Sequence, residues 1–180
     1  MTAELRSIPG ICEVRSFAGS ANHHVLIEVP HGATLAAHFD TTLEGLEAEY
    51  RPELRDFFFV NTDVGAPELA LAIAERTAPK ASVTVIRCLI PRTFVDCNRI
   101  IDRQQRRSQP GQVTPGLHVW VEHERDQERL LDLHQAYLEL LDQAYEHACD
   151  RSGDSGLALM LHSYAPVSYT HLTLPTILLV

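Results

Sequence analysis

The chain has 180 residues, 45% of them hydrophobic and 22% charged, enough apolar material for one domain with a substantial core and too much for a disordered polypeptide. Its net charge of −9 argues against a nucleic-acid partner, whose phosphates demand a basic face. No apolar run is long enough to span a bilayer, and the polar start with Glu4 and Arg6 is no secretory signal, so a cytoplasmic protein without a membrane partner is expected.

Two further features of composition narrow the chemistry. Cys12, Cys88, Cys97 and Cys149 show no C-x-x-C spacing, which predicts reduced, mostly buried thiols in place of a disulfide framework or a Cys-rich metal site. Lys80 is the sole lysine, so nearly all positive charge is guanidinium.

In chain order, residues 11–17 form a short apolar-rich run, and a turn follows at 18–22. Residues 24–29 (HVLIEV) read as a strand closed by Pro30 and Gly32, so the two runs predict a hairpin or adjacent strands. Helical spacing of Leu43, Leu46 and Tyr50, with Thr41 and Glu44 as a capping box, predicts a helix over 41–50. The run 57–60 is too brief to assign. A helix is predicted over 67–76, opened by Pro67 and striped by Leu69, Ala70, Ile73 and Ala74. Residues 82–90 (SVTVIRCLI) form the second clear strand. Residues 101–116, polar, Arg-rich and broken by two Pro-Gly pairs, form a loop or flap. A long amphipathic helix spans 126–149, then a turn at 151–156 leads to a third clear strand at 157–161. Strands separated by helices predict an α/β domain with a mostly parallel sheet.

His31 and His162 each stand where a buried strand runs out, the position at which functional groups of open α/β sheets cluster. Two imidazoles so placed can converge on one metal ion, and zinc commonly adds one carboxylate. Asp63 and Glu68, both beside the start of a predicted helix, are the candidates for that third ligand, with Asp63 preferred. His23, His24, His38, His118, His123, His134 and His147 lack comparable context and are not expected to be ligands. Asn98 and Arg99 supply an amide and a planar guanidinium suited to a substrate carboxylate, Arg92 offers a second cation, and Asp96 can orient one of these groups.

Taken together, these segments resemble the N-formylglutamate amidohydrolase family, relatives of the zinc carboxypeptidases. The likeness runs from about residue 24 to 166, in order. It rests on Pro30-His31-Gly32-Ala33, with the family's small residue and glycine exchanged, then on Asn61-Thr62-Asp63. It continues through Arg92-Thr93-Phe94-Val95-Asp96-Cys97-Asn98-Arg99 and ends at His162-Ser163. The resemblance implies a three-layer α/β/α carboxypeptidase-like fold in which His31, Asp63 and His162 hold Zn2+. Arg92, Asn98 and Arg99 would bind the carboxylate of a small acidic amide, and N-formylglutamate would be cleaved to formate and glutamate. A related zinc peptidase or deacylase, or a non-catalytic carboxylate-binding domain, are the alternatives.

Two departures stand out. Tyr137-Leu138 replaces the family's aromatic-His pair, and no glutamate after His162 matches the family's late general base. Val167-Ser168-Tyr169-Thr170-His171-Leu172 also resembles one translated frame of the transposase adapter CTGTCTCTTATACACATCT. Residues 1–166 are therefore expected to be the N-terminal portion of a single amidohydrolase domain, incomplete at its C-terminus. Residues 167–180 are expected to be a non-native tail, and the general base to lie beyond Pro166 in an active parent protein.

Overall fold

The computed structural model describes residues 5–19, 23–101, 115–152 and 156–163. Among them the chain forms strands β1 (Cys12–Phe17), β2 (His24–Val29), β3 (Ser82–Cys88) and β4 (Leu157–Met160), with helices α1 (Ala36–Glu44), α2 (Glu53–Val60), α3 (Ala66–Thr77) and α4 (Glu124–Ser152). The result is a mixed α/β fold around a four-stranded sheet in the order β1-β3-β2-β4. β2 pairs parallel with β3 on one side and with β4 on the other, while β1 runs antiparallel to β3.

β2 is buried at every residue, because it has a neighbour on both edges and apolar packing on both faces. Alternation along the strand divides those faces. Val25, Ile27 and Val29 pack with Val83 and Val85 against Ala66, Ala70 and Ala74 of α3. The repeat of alanines at every fourth position lets that helix lie close to the sheet. Leu26 and Ile86 belong to the other cluster, with Phe39, Phe58, Phe94 and the α4 residues Leu130, Tyr137, Leu140 and Ala144. Glu28 shares Leu26's side of the strand and is 2% exposed, its Oε1 accepting a hydrogen bond from Tyr137 Oη at 2.9 Å.

Several predicted elements need correction. The reading of the first two strands as a hairpin or as adjacent strands fails because β3 inserts between β1 and β2. β3 carries seven residues rich in β-branched side chains, and it can pair along both edges where a local hairpin would use one. The helix predicted over 41–50 lies at Ala36–Glu44 and ends at Gly45. Beyond it, the amides of Glu47 and Ala48 donate to the Asp126 carboxylate at 2.7 and 3.0 Å, and Tyr50 Oη adds a third bond at 2.9 Å. That carboxylate replaces the helical carbonyls, so Leu46 and Tyr50 reach the core from a loop. Thr41 lies inside the helix and caps nothing; at the N-terminal end His38 Nδ1 accepts the Leu35 N–H at 3.3 Å. The unassigned run belongs to α2, where Leu54 and buried Phe58 stand four apart and face the core.

α3 and α4 extend the predicted helices by one to three residues at each end, within ordinary fraying. Of the predicted 101–116 loop, residues 102–114 lie outside the described residues, as do the tail from Tyr164 and parts of both predicted turns. Cys12, Cys88 and Cys97 are free and buried, whereas Cys149 is free and exposed. β4 leaves Leu157 and Met160 exposed, so apolar side chains face outward on this strand. Among the described residues no helix is long and apolar enough to cross a membrane.

Candidate metal centre

Parallel pairing of β2 with β4 brings two chain exits to the same edge of the sheet. Glu28 stands opposite Met160, and the Leu161 amide donates to the Glu28 carbonyl at 2.8 Å. His31 and His162, leaving adjacent strands just beyond that bond, have ring centroids 4.9 Å apart. The loop before α3 is stitched to the same place. Thr62 Oγ1 donates to the Ala33 carbonyl at 2.7 Å and the Asp63 amide to the His31 carbonyl at 3.4 Å. Gly65 ends this loop at φ +84°, a left-handed conformation that lets the chain turn directly into α3.

Gly32 has a steric reason to stand next to His31. A Cβ at position 32 would stand 2.5 Å from Arg87 Cγ and 2.9 Å from the Cys88 carbonyl oxygen, so only glycine lets the chain pass over the end of β3. Arg87 then secures the passage, its Nε donating to the Gly32 carbonyl at 2.7 Å.

Asp63 Oδ2 lies 2.9 Å from His162 Nδ1 and 3.5 Å from His31 Nδ1. The ligand atoms of His31, Asp63 and His162 all fall within 4.8 Å of one another, so the group can hold a metal ion. His31 and Asp63 are 4% and 3% exposed, whereas the His162 side chain keeps 25% of its surface and forms the open side. Glu68 is exposed in the first turn of α3 and takes no part, which settles the third position of the cluster on Asp63.

Asp96 organises the other side of His31. Its Oδ1 accepts from His31 Nε2 at 2.7 Å and from the Asn98 amide at 3.0 Å. Arg92 Nη1 lies 3.3 Å from His31 Nδ1. A guanidinium can only donate, so this contact assigns the lone pair to Nδ1 and the ring proton to Nε2, where Asp96 receives it. His31 therefore presents Nδ1 to the same point as Asp63, backed by a second carboxylate in the arrangement that metal-binding histidines use.

Electrostatics follow from this crowding. Burial would push the Asp63 carboxyl up, yet the hydrogen bond from His162 and the neighbouring His31 ring outweigh it and hold the group at about 2. Burial also penalises a charged His31, but Asp63 and Asp96 more than compensate and raise its pKa. Asp96 moves down, the cost of its burial exceeded by His31, Arg92 and the Asn98 amide. Glu28 moves up because burial dominates, with Tyr137 offsetting part of it. Two anions and two imidazoles thus share a poorly hydrated pocket whose centre favours a cation.

Two of the three predicted anion-binding residues reach the same group. Arg92 touches His31, and Asn98 Nδ2 lies 3.4 Å from His162 Nε2. Arg99 sits one step further out, its Nε 3.9 Å from Asp96 Oδ2 and its side chain 38% exposed. Asp96 Oδ2 and Arg99 Nε are both buried without a hydrogen bond. Sequence reasoning passed over Glu28, hidden in an apolar strand, and over His118 and His134, which hydrogen-bond to the backbone of this segment. A polar residue at the fifth position of a buried strand was the only signal for Glu28; the two histidines left none. Comparisons of the chain with protein-family models, curated proteins and solved structures give no match.

Proposed function

We propose that this chain carries the zinc and carboxylate sites of an amidohydrolase that cleaves N-formylglutamate to formate and glutamate, on a three-layer α/β/α, carboxypeptidase-like scaffold. The observation that supports it is the convergence of His31, Asp63 and His162 beside Arg92, Asn98 and Arg99. Two imidazoles and one carboxylate suit Zn2+ and leave a fourth position open. Zinc held there supplies Lewis acidity and lowers the pKa of a water.

The chain's own residues supply the rest. Asp96 keeps the proton of His31 on Nε2 and so aims Nδ1 at the ligand point. Arg99 and Asn98 receive the substrate carboxylate by planar, charge-assisted hydrogen bonds, and Arg92, held beside His31, faces the amide. Burial of His31 and Asp63 excludes bulk water, which strengthens each of these interactions.

Among the described residues, no carboxylate near the site is idle. Asp63 is shared by the two histidines, Asp96 by His31 and Asn98, and Glu28 is bonded to Tyr137. The 180-residue chain alone is therefore expected to bind zinc and acidic ligands but not to turn over. That observation also supports the second reading, a carboxylate-binding domain without catalysis.

The deciding experiment is titration of the purified chain with zinc, then with N-formyl-L-glutamate, followed by formate release from a parent protein carrying the same residues. Stoichiometric zinc, acidic-ligand binding and formate release by the parent support the enzyme. Binding of the acidic ligand without release in the parent selects the second reading, absence of zinc binding overturns the enzyme, and absence of acidic-ligand binding overturns both.

A further inference from the structure

Two histidines outside the His31-Asp63-His162 group hold both ends of the segment carrying the anion-binding groups. His118 Nε2 lies 3.0 Å from the carbonyl oxygen of Arg92, and His134 Nε2 lies 3.2 Å from the carbonyl oxygen of Arg99. A carbonyl only accepts, so each ring carries its proton on Nε2 and donates it. Both residues are 7% exposed, and they come from different places, His118 from the segment before α4 and His134 from within α4. His118 stacks flat on Trp120, with centroids 4.2 Å apart and planes 8° apart, and Trp120 Nε1 donates to the Thr93 carbonyl at 2.9 Å. The Asp96 amide is fixed on the Gly116 carbonyl at 2.7 Å.

The Arg99 end is the informative one. Its Nε makes no hydrogen bond, and its ion pair with Asp96 is loose at 3.9 Å. Side-chain contacts therefore do little to decide where its guanidinium stands. The backbone decides it, through the Arg99 amide on the Asp96 carbonyl at 3.1 Å and the His134 bond to the Arg99 carbonyl. Burial lowers the pKa of His134, which keeps the ring a neutral donor and adds no charge beside the arginine.

We propose that His134 is a positioning residue for carboxylate recognition: by fixing the carbonyl of Arg99 it sets the reach of that guanidinium toward an anionic group beside His31, Asp63 and His162. His118 serves Arg92 in the same way. This inference rests on the carboxylate-binding reading above.

The test compares the zinc-loaded 180-residue chain with His134→Met and His134→Gln. The two replacements are close in size, and only glutamine keeps a donor near the position of the ring Nε2. L-Glutamate binding is measured by calorimetry, and zinc affinity separately by competition with a chromophoric chelator. His134→Met should weaken L-glutamate about tenfold, His134→Gln should stay within about threefold of the unsubstituted chain, and zinc affinity should hold in both. A residue that merely supported the fold would weaken zinc and glutamate together, with no rescue by glutamine.

Unchanged glutamate affinity in His134→Met, parallel loss of zinc, or absence of rescue each overturns the proposal. If His134→Met does not fold, His134→Gln decides alone, and a loss beyond threefold overturns it. Failure of the unsubstituted zinc-loaded chain to bind L-glutamate removes the carboxylate reading and this inference with it. Equal binding by the unsubstituted and His134→Met chains removes this inference alone.

Discussion

Asp96 is the residue on which the two halves of the site depend. It fixes the proton of His31, takes the Asn98 amide, and faces Arg92 and Arg99 with an oxygen that has no hydrogen bond. Asp96→Asn keeps the shape and an oxygen that accepts the His31 Nε2 proton but removes the charge, so the bond that orients His31 and raises its basicity weakens. Zinc affinity should fall by roughly 10- to 100-fold, measured by chelator competition, and an unchanged affinity would refute the orienting role. At this scale much was legible in the sequence. His31 and His162 betray themselves by standing at strand ends, and Asp96 by its place beside Asn98 and Arg99. His118 and His134 do not, because a side chain that serves a backbone carbonyl can sit at any position that folding brings nearby.

At the scale of elements, the strands and the two long helices follow hydrophobic period, and the sequence reveals β2 to the residue. What it hides is competition for backbone partners. Residues 45–50 keep a helical apolar pattern, yet Asp126, 1% exposed in the first turn of α4, captures their amides. Replacing Asp126 by Asn should cost about 2 kcal/mol, since three part-buried donors lose a charged acceptor for a neutral one. The pKa of Asp126 lies below its ordinary value of 3.8, because the hydrogen bonds from Glu47, Ala48 and Tyr50 exceed the cost of burial. A depressed pKa stabilises above the unfolded value and ceases to do so as pH falls through the folded one. The stability difference between the two proteins should therefore be full at neutral pH and shrink below pH 3.8, which denaturant unfolding at several pH values would show. A second element-scale prediction concerns the passage over β3. Gly32→Ala forces its Cβ against the Cys88 carbonyl, so stability should drop by about 1–3 kcal/mol and zinc affinity should fall as His31 is displaced. Retention of both would mean the backbone yields at no cost.

For the molecule as a whole, the three residues that could hold a metal tie together the exit of β2, the loop before α3 and the exit of β4. A metal that binds only the folded state stabilises it by mass action, by about 2.7 kcal/mol at a hundred times its dissociation constant. Zinc should raise the melting temperature, a chelator should reverse the rise, and His162→Ala should abolish the zinc-dependent increment while leaving the metal-free transition near its place. A zinc response that survives His162→Ala would point to another binding site. The pairing of β4 with β2 has a further consequence, in time. Asp63 and its partner His162 are 99 residues apart, so at about 5–20 residues per second a ribosome needs roughly 5–20 s to deliver the second after the first. Through that interval β2 can already lie against β3 while its other edge stays open, and His31 and Asp63 can grip a metal only from two sides. The nascent chain is thus exposed to unwanted strand pairing at the edge of β2 that β4 later covers.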